Sequence, residues 1–377
     1  MYYTLYMKTL IFGGAFDPPH REHLNILLEA SKAVNFDRVV IVPTFNPPHK
    51  DDSVIDFDTR VLLIDKLFKK SGINYIVDDI EKRRGDSNYA VEVVAALKEK
   101  YAGELYYLIG GDSLINIETW HKPELLFPLA TLVVCGREGY VGLDQKIDYL
   151  QNKYGAKIIK INYVGSEISS SLLRLRLNLK LDADVDGIEL IKDRFNKYDS
   201  VLNQLKSYQS DDLYFHSRAV AYRAVEIARH HRLNIDLNKA FLAGLLHDNA
   251  KQRLSLDGFD VPSDAVGSPV LHQFLGSLKA ERDFGIEDID ILSAINYHTT
   301  GKADMTTLEK LIYCADMLSE DRPCIENLLK VIMTDFEIGF RSCLASSYFY
   351  VLSKKRGMYP LTQQAFDYYI KNAKFPL

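Results

Sequence analysis

Paired cysteines, long apolar runs, basic clusters and flexible tethers are all scarce in this 377-residue sequence. The four cysteines, Cys135, Cys314, Cys324 and Cys343, stand far apart without a paired spacing. That excludes a zinc ribbon or a disulfide framework and fits a reducing cytoplasm. No apolar stretch reaches the length of a bilayer span, and the opening MYYTLY is aromatic rather than cationic, so neither a membrane anchor nor a signal peptide is expected. Met7 directly precedes the first apolar run, which leaves Met1 and Met7 both open as the start of translation. Residues 1–197 carry 26 Lys and Arg against 28 Asp and Glu, and the remainder 20 against 23. Neither half has a basic stripe, so nucleic acid is not an expected partner. Lys180 to Ser210 hold one glycine, Gly187, and no proline, which rules out a Gly/Ser tether there.

What is present suits a soluble globular chain: 47% hydrophobic and 26% charged residues, over a length that calls for two domains. The boundary is expected near Tyr198, giving domains 1–197 and 198–377, with the last helix of one running almost directly into the first helix of the other. In the first half, short apolar runs at Thr9–Phe12, Arg38–Val42, Tyr75–Val77, Leu105–Ile109, Leu132–Cys135 and Lys157–Ile161 alternate with amphipathic segments. This pattern predicts an α/β fold with a parallel, Rossmann-like sheet, whose ligands bind beyond the carboxyl ends of the strands.

The chemistry-bearing residues fall at those ends. LIFGGAFDPPHREHL reads as a strand, a glycine turn and a helix start. Glycine lets backbone approach a ligand, the first amides of a helix attract an anion, and His20 and His23, three apart, share one helix face. Gly110-Gly111-Asp112-Ser113 follow the fourth strand and Gly136-Arg137 the fifth. In ISSSLLR, three hydroxyls open a helix bearing Arg174. Each piece alone is an ordinary turn or cap; together they describe a phosphate site that needs no nucleophilic serine or cysteine.

In order across about residues 7–195, GGAFDPPHREHL, VPTFNPPHK, the arginine of FDTR, GDSNYA, IGGDSLINIETWHKPE, CGREGY and ISSSLLR resemble the bacterial nicotinate-nucleotide adenylyltransferases. The resemblance implies transfer of adenylate from ATP, with Mg²⁺, to nicotinate mononucleotide. It implies that His20, His23, Lys50 and Arg174 hold the ATP phosphates. Gly13, Gly14, Phe16, Asp112, Arg137, Ile168, Ser169 and Ser170 would line the nucleotide pocket, and Trp120, the only tryptophan, would stack on the nicotinate ring. Two departures bear on it. Glu22 stands where the family has glycine, beside the expected phosphates, and Asn88-Tyr89-Ala90 stands where it prefers Ser-Tyr-Thr.

The second half loses the strand pattern and reads as all-α, with amphipathic segments at Phe215–His231, Lys239–His247, Ile286–Tyr297 and Thr307–Leu318. FLAGLLHD drives His247 and Asp248 toward an interior, where a carboxylate must be paired or bound to metal. His216, His272, His298 and Asp316 lie on separate segments, and a two-metal cluster accounts for all six. These residues, with LLHDNAK and HTTG, resemble HD-domain phosphohydrolases, and among them the bacterial enzymes that split diadenosine tetraphosphate, a dinucleoside polyphosphate, symmetrically into two ADP. The resemblance implies two transition-metal ions, iron ahead of manganese, bridged by Asp248, activating water for in-line attack on phosphorus. Lys251, one helical turn beyond His247, is placed to meet a substrate phosphate, and Arg322 could do likewise. The family usually carries glutamate where this chain has Ser319. Other acceptors and polyphosphates, a first half that only senses nucleotide, and a homo-oligomer all stay open at the level of sequence.

Overall fold

The computed structural model describes residues 7–46, 55–85, 88–136, 142–163, 165, 168–256, 258–323, 325–355 and 357–371. Two compact units result: one comprises the chain to Leu177 and Asp182–Phe195, the other Asn178–Leu181 and Asn196 onward.

The first unit is a six-stranded sheet of β1 (Lys8–Gly14), β2 (Arg38–Pro43), β3 (Tyr75–Val77), β4 (Glu104–Gly110), β5 (Thr131–Gly136) and β6 (Ile158–Asn162). Strand order is β3-β2-β1-β4-β5-β6 and every pairing is parallel. Between and after the strands come α1 (Arg21–Ala33), α2 (Phe57–Phe68), α3 (Ile80–Arg84), α4 (Ala90–Lys100), α5 (Gly111–Ile115), α6 (Pro123–Leu126), α7 (Leu143–Tyr154) and α8 (Ser170–Asn178). Both sheet faces are covered. Ile11, Val40, Leu105 and Val134 pack in one apolar cluster, while Leu10, Val39, Tyr106 and Val133 pack in another. That is why the strands read as continuous apolar runs instead of alternating. The chain leaves β1 toward β2 on one side and returns to add β4 on the other. The crevice between the carboxyl ends of β1 and β4 is therefore the topological switch point.

The stretch after α8 is not the helix-to-helix passage expected. It is irregular, with short 3-10 turns at Ile188–Leu190 and Lys192–Arg194, and Gly187 takes φ 84°. Val185, Ile191 and Phe195 bury singly against Leu63, Leu173 and Leu177. Apolar residues spaced 6 and 4 apart are pinned one by one, which a continuous helix could not do.

The second unit is helical: α9 (Asp199–Lys206), α10 (Asp211–His230), α11 (Leu237–Leu246), α12 (Leu271–Phe284), α13 (Ile289–Tyr297), α14 (Thr307–Met317), α15 (Glu326–Thr334), α16 (Phe336–Ser353) and α17 (Pro360–Phe366). Side-chain caps start many of them, as where Ser210 accepts from Leu213 N, Asp288 from Ile291 N, and Thr306 with Glu309 forms a capping box. Gly244 lets α10 and α11 approach closely, since a Cβ there would lie 2.9 Å from the Ala221 Cα. Among the described residues no helix is long and apolar enough to cross a membrane.

Candidate active sites

At the switch point, β1 ends in Gly13-Gly14 and the chain turns through Phe16, whose φ of 48° lies in the left-handed region. The turn delivers His20 to the N-cap of α1. The His20 backbone N–H donates to His23 Nδ1 at 3.1 Å, which makes Nε2 the protonated nitrogen of a neutral His23. The two rings lie 3.9 Å apart. Burial pushes the His20 imidazole down to about 4, the nearby Glu22 opposing that shift.

Two neighbouring cavities open here and share Ile26, Gly110 and Cys135. One, of about 390 Å³, is lined by His20, His23, Asp112, Ile168, Ser169 and Ser170. The other, of about 320 Å³, is lined by Gly13, Gly14, Glu81, Tyr107, Ser113 and Trp120. Most of the residues anticipated for the nucleotide thus meet along one crevice, with the tryptophan in its adjoining half. Phe16 differs: it is buried behind Gly14 and against His23, supporting the turn from beneath rather than lining either cavity. Arg174 donates to the Asp17 carbonyl at 2.5 Å, and Ser170 Oγ to the Pro18 carbonyl at 3.0 Å, so α8 grips the glycine turn. Lys50 and Arg137 lie outside the described residues.

Glu22 does not stand loose against the expected phosphates. It is buried in the cavity wall, accepting from the Tyr163 hydroxyl at 2.9 Å and from the Asn25 amide at 3.1 Å. Residues that the sequence reading left without a role complete this site. Arg60, fully buried, donates to the carbonyls of Ala15 and Thr44 at 2.5 and 2.8 Å, tying the glycine turn to the loop after β2. Glu81 accepts from Phe45 N at 3.0 Å, and burial pushes its carboxyl above the ordinary range. The signal for Arg60 was in the sequence: it falls on the buried stripe Phe57, Arg60, Leu63, Ile64, Leu67 of α2, where a cation has to be a structural donor.

In the second unit five helices bring six groups together. His216 comes from within α10, His247 and Asp248 follow α11, His272 opens α12, His298 follows α13 and Asp316 lies in α14. The Nδ1–H of His247, His272 and His298 donates to the carbonyl three residues back, that of Gly244, Pro269 and Ile295, at 2.7 to 2.8 Å. His216 Nδ1 donates instead to Asp321, 2.9 Å away. The Gly244 and Ile295 carbonyls lie in the last turns of α11 and α13 and that of Pro269 in the turn before α12, and each ring that donates to one is fixed with its Nε2 inward.

The Nε2 atoms then converge. They are 3.3 Å apart for His216 and His247, and 3.2 Å for His272 and His298. Asp248 Oδ2 lies 3.3 Å from His247 Nε2, while Oδ1 lies 3.3 and 3.4 Å from those of His272 and His298. Asp316 Oδ1 is 3.0 Å from His216 Nε2. Asp248 is fully buried, and its Oδ1 has no hydrogen-bond partner. A buried carboxylate oxygen facing imidazole lone pairs is unfavourable unless cations sit between them. The donor set is all nitrogen and oxygen, and within it two overlapping triads bring their ligand atoms together, His216 with His247 and Asp316, and His247 with Asp248 and His298, while His272 Nε2 stands 3.3 Å from Asp248 Oδ1. These residues fit divalent cations, which His216, His247, Asp248, His272, His298 and Asp316 would hold. Burial lowers His272 to about 4, whereas Asp316 and Asp321 outweigh burial at His216 and raise it to about 9. Lys251 Nζ lies 2.6 Å from Asp248 Oδ2, and an Arg322 nitrogen 2.7 Å from Asp316 Oδ1. Thr299 Oγ1, unforeseen in the sequence, stands 2.9 and 3.0 Å from the Nε2 atoms of His298 and His272.

Residues 11–176 match the cytidylyltransferase-like family, and residues 213–321 match the HD domain. A probable nicotinate-nucleotide adenylyltransferase/Ap4A hydrolase of Mycoplasma genitalium is 29% identical over 323 residues, covering 84% of this chain and 88% of that protein. A probable nicotinate-nucleotide adenylyltransferase of Nitratiruptor sp. is 37% identical over 187 residues, 49% of this chain and 98% of the relative. An HD superfamily hydrolase of Clostridium acetobutylicum, described as involved in NAD metabolism, shares 29% identity over 47% of this chain and 98% of its own, with a TM-score of 0.43. The chain belongs to the nicotinate-nucleotide adenylyltransferase family through its first unit and carries an HD domain in its second.

Proposed function

We propose that the first unit transfers adenylate from ATP to nicotinate mononucleotide, and that the second hydrolyses diadenosine tetraphosphate symmetrically to two ADP. In the first reaction an acceptor phosphate oxygen bonds to the α-phosphorus as its bond to the β-phosphate oxygen breaks, leaving deamido-NAD and pyrophosphate. The crevice between β1 and β4 carries this half of the reading, because the His20/His23 cavity adjoins the Trp120 cavity through a shared wall. Nucleotidyl transfer needs alignment and charge neutralisation, and the residues supply both. His23, fixed by the His20 amide, presents an Nε2–H donor, and a neutral His20 beside it can gain a proton as phosphate charge arrives. Arg60 and Arg174 act on the backbone of the turn, keeping it in place. Mg²⁺ arrives with ATP and neutralises its phosphates. With Glu22 held by Tyr163 and Asn25, the carboxylate gives no reason to reduce this unit to a nucleotide sensor.

For the second unit the carrying observation is the inward convergence of four Nε2 atoms on the two oxygens of Asp248. When bound, two first-row cations, iron foremost, supply Lewis acidity at phosphorus and acidify water. His216, His247 and Asp316 would hold one, His272 and His298 the other, with Asp248 between. Lys251 and Arg322, already beside the cluster, are the groups that would meet the transferred phosphoryl oxygens.

The test uses the full-length protein. With ATP, Mg²⁺ and nicotinate mononucleotide, pyrophosphate and deamido-NAD are expected in equal amounts; with diadenosine tetraphosphate and the metal-loaded protein, ADP alone. ATP binding without pyrophosphate release would overturn the first half. AMP and ATP as products would overturn the symmetrical cleavage.

A further inference from the structure

The six groups of the helical unit do not divide evenly. On one side stand the Nε2 atoms of His216 and His247, Asp248 Oδ2 and Asp316 Oδ1; on the other, those of His272 and His298, Asp248 Oδ1 and the neutral Thr299 hydroxyl. The first side has a carboxylate of its own besides the shared one. The second has only the shared one. The outward nitrogens differ as well. Those of His247, His272 and His298 donate to backbone carbonyls, but His216 Nδ1 donates to the Asp321 carboxylate, whose two oxygens lie 2.9 and 3.1 Å away, with Ser319 Oγ at 3.3 Å. A carboxylate behind an imidazole fixes its tautomer and makes the inward nitrogen a stronger donor than a carbonyl does. The protein's own cations report the same asymmetry. Lys251 takes Asp248 Oδ2 rather than Oδ1, and Arg322 takes Asp316 Oδ1, so both sit on the first side.

We infer that the cluster is two unequal cation sites, a tight one at His216/His247/Asp316 and a weaker one at His272/His298/Thr299, and that Asp321 is the positioning residue that sets the difference. The inference rests on the metal-dependent reading of this unit. Loading is then sequential. Lys251 and Arg322 would give up Asp248 Oδ2 and Asp316 Oδ1 for the first cation, and His272, His298 and the Thr299 hydroxyl would hold the second. Asp321 belongs to this chain's own solution for His216, since the neighbouring Ser319 offers only a hydroxyl at longer range.

The test is titration of the chelator-stripped full-length protein with Co²⁺, followed by calorimetry and visible absorption. Two events of about one equivalent each are expected, at least tenfold apart in affinity. D321N should weaken the first by about tenfold or more and leave the second in place. T299V, close in shape but without the hydroxyl, should change only the second, and T299S should restore it. Melting temperatures of the metal-free variants check the fold, and should D321N not fold, the T299V/T299S pair decides. Two events of equal affinity, or a D321N or T299V effect on the opposite site, overturn the inference while leaving a two-metal hydrolase. Absence of any Co²⁺ binding overturns the metal-dependent reading itself.

Discussion

At His20 the surroundings work against a charge. The ring is almost wholly buried, and its proton is held only below about 4, against 6.5 for a free imidazole. The unfolded chain therefore takes up a proton as pH falls below 6.5 while the folded one does not. Stability present at neutral pH is lost progressively down to about pH 4, where both forms are protonated, a total of about 3 kcal/mol. Trp120 fluorescence can follow unfolding of this unit in urea, because it is the chain's only tryptophan. H20Q should flatten the decline between pH 6.5 and 4, and an equal slope in both proteins would refute this account. The residue scale is also where the sequence was most legible. Glycines, histidines and aspartates of both sites could be named because their chemistry is particular to the side chain. Phe16 was assigned to the pocket wall and proved a buried support, since an aromatic residue after a double glycine suits either place.

Helices and strands were legible wherever the pattern was local. The six apolar runs became six parallel strands, and His216, His247, His272 and His298 arrived on separate helices. How closely those helices pack was not. Gly244 is a helical residue without an evident reason in sequence, and on an exposed surface Gly→Ala would stabilise a helix by about 1 kcal/mol. Here the added Cβ would meet Ala221 Cα at 2.9 Å and Val220 O at 3.2 Å, backbone that cannot step aside alone. G244A should instead cost about 1–3 kcal/mol through overpacking of α10 on α11. Because the Gly244 carbonyl accepts from His247 Nδ1, metal affinity should fall too. Thermal melts of the metal-free variant give the sign directly; an unchanged or higher midpoint would mean the helices have slack.

At the scale of the molecule, each unit has its own apolar core, and among the described residues the candidate donor groups for metal lie in the second. Cations that bind the folded form alone add stability by mass action, about 4 kcal/mol at a thousand times Kd. Removing them should lower the unfolding transition that Trp120 fluorescence does not follow. Calorimetry of loaded and chelator-treated protein, with fluorescence to identify the first-unit transition, measures this. A second-unit transition indifferent to chelation would contradict a structural share for the metals.

By itself the sequence determined the two fold classes, the strand-turn-helix phosphate motif and the inventory of imidazoles and carboxylates, because periodicity, glycine turns and side-chain chemistry act over a few residues. The tertiary structure alone decided which ring nitrogen faces inward, that Asp321 backs His216 across 105 residues, and that Arg60 reaches from α2 to Ala15 and Thr44. An imidazole has two nitrogens and a guanidinium five donors. Which of them serves the site depends on the carbonyl or carboxylate that folding brings to the other side.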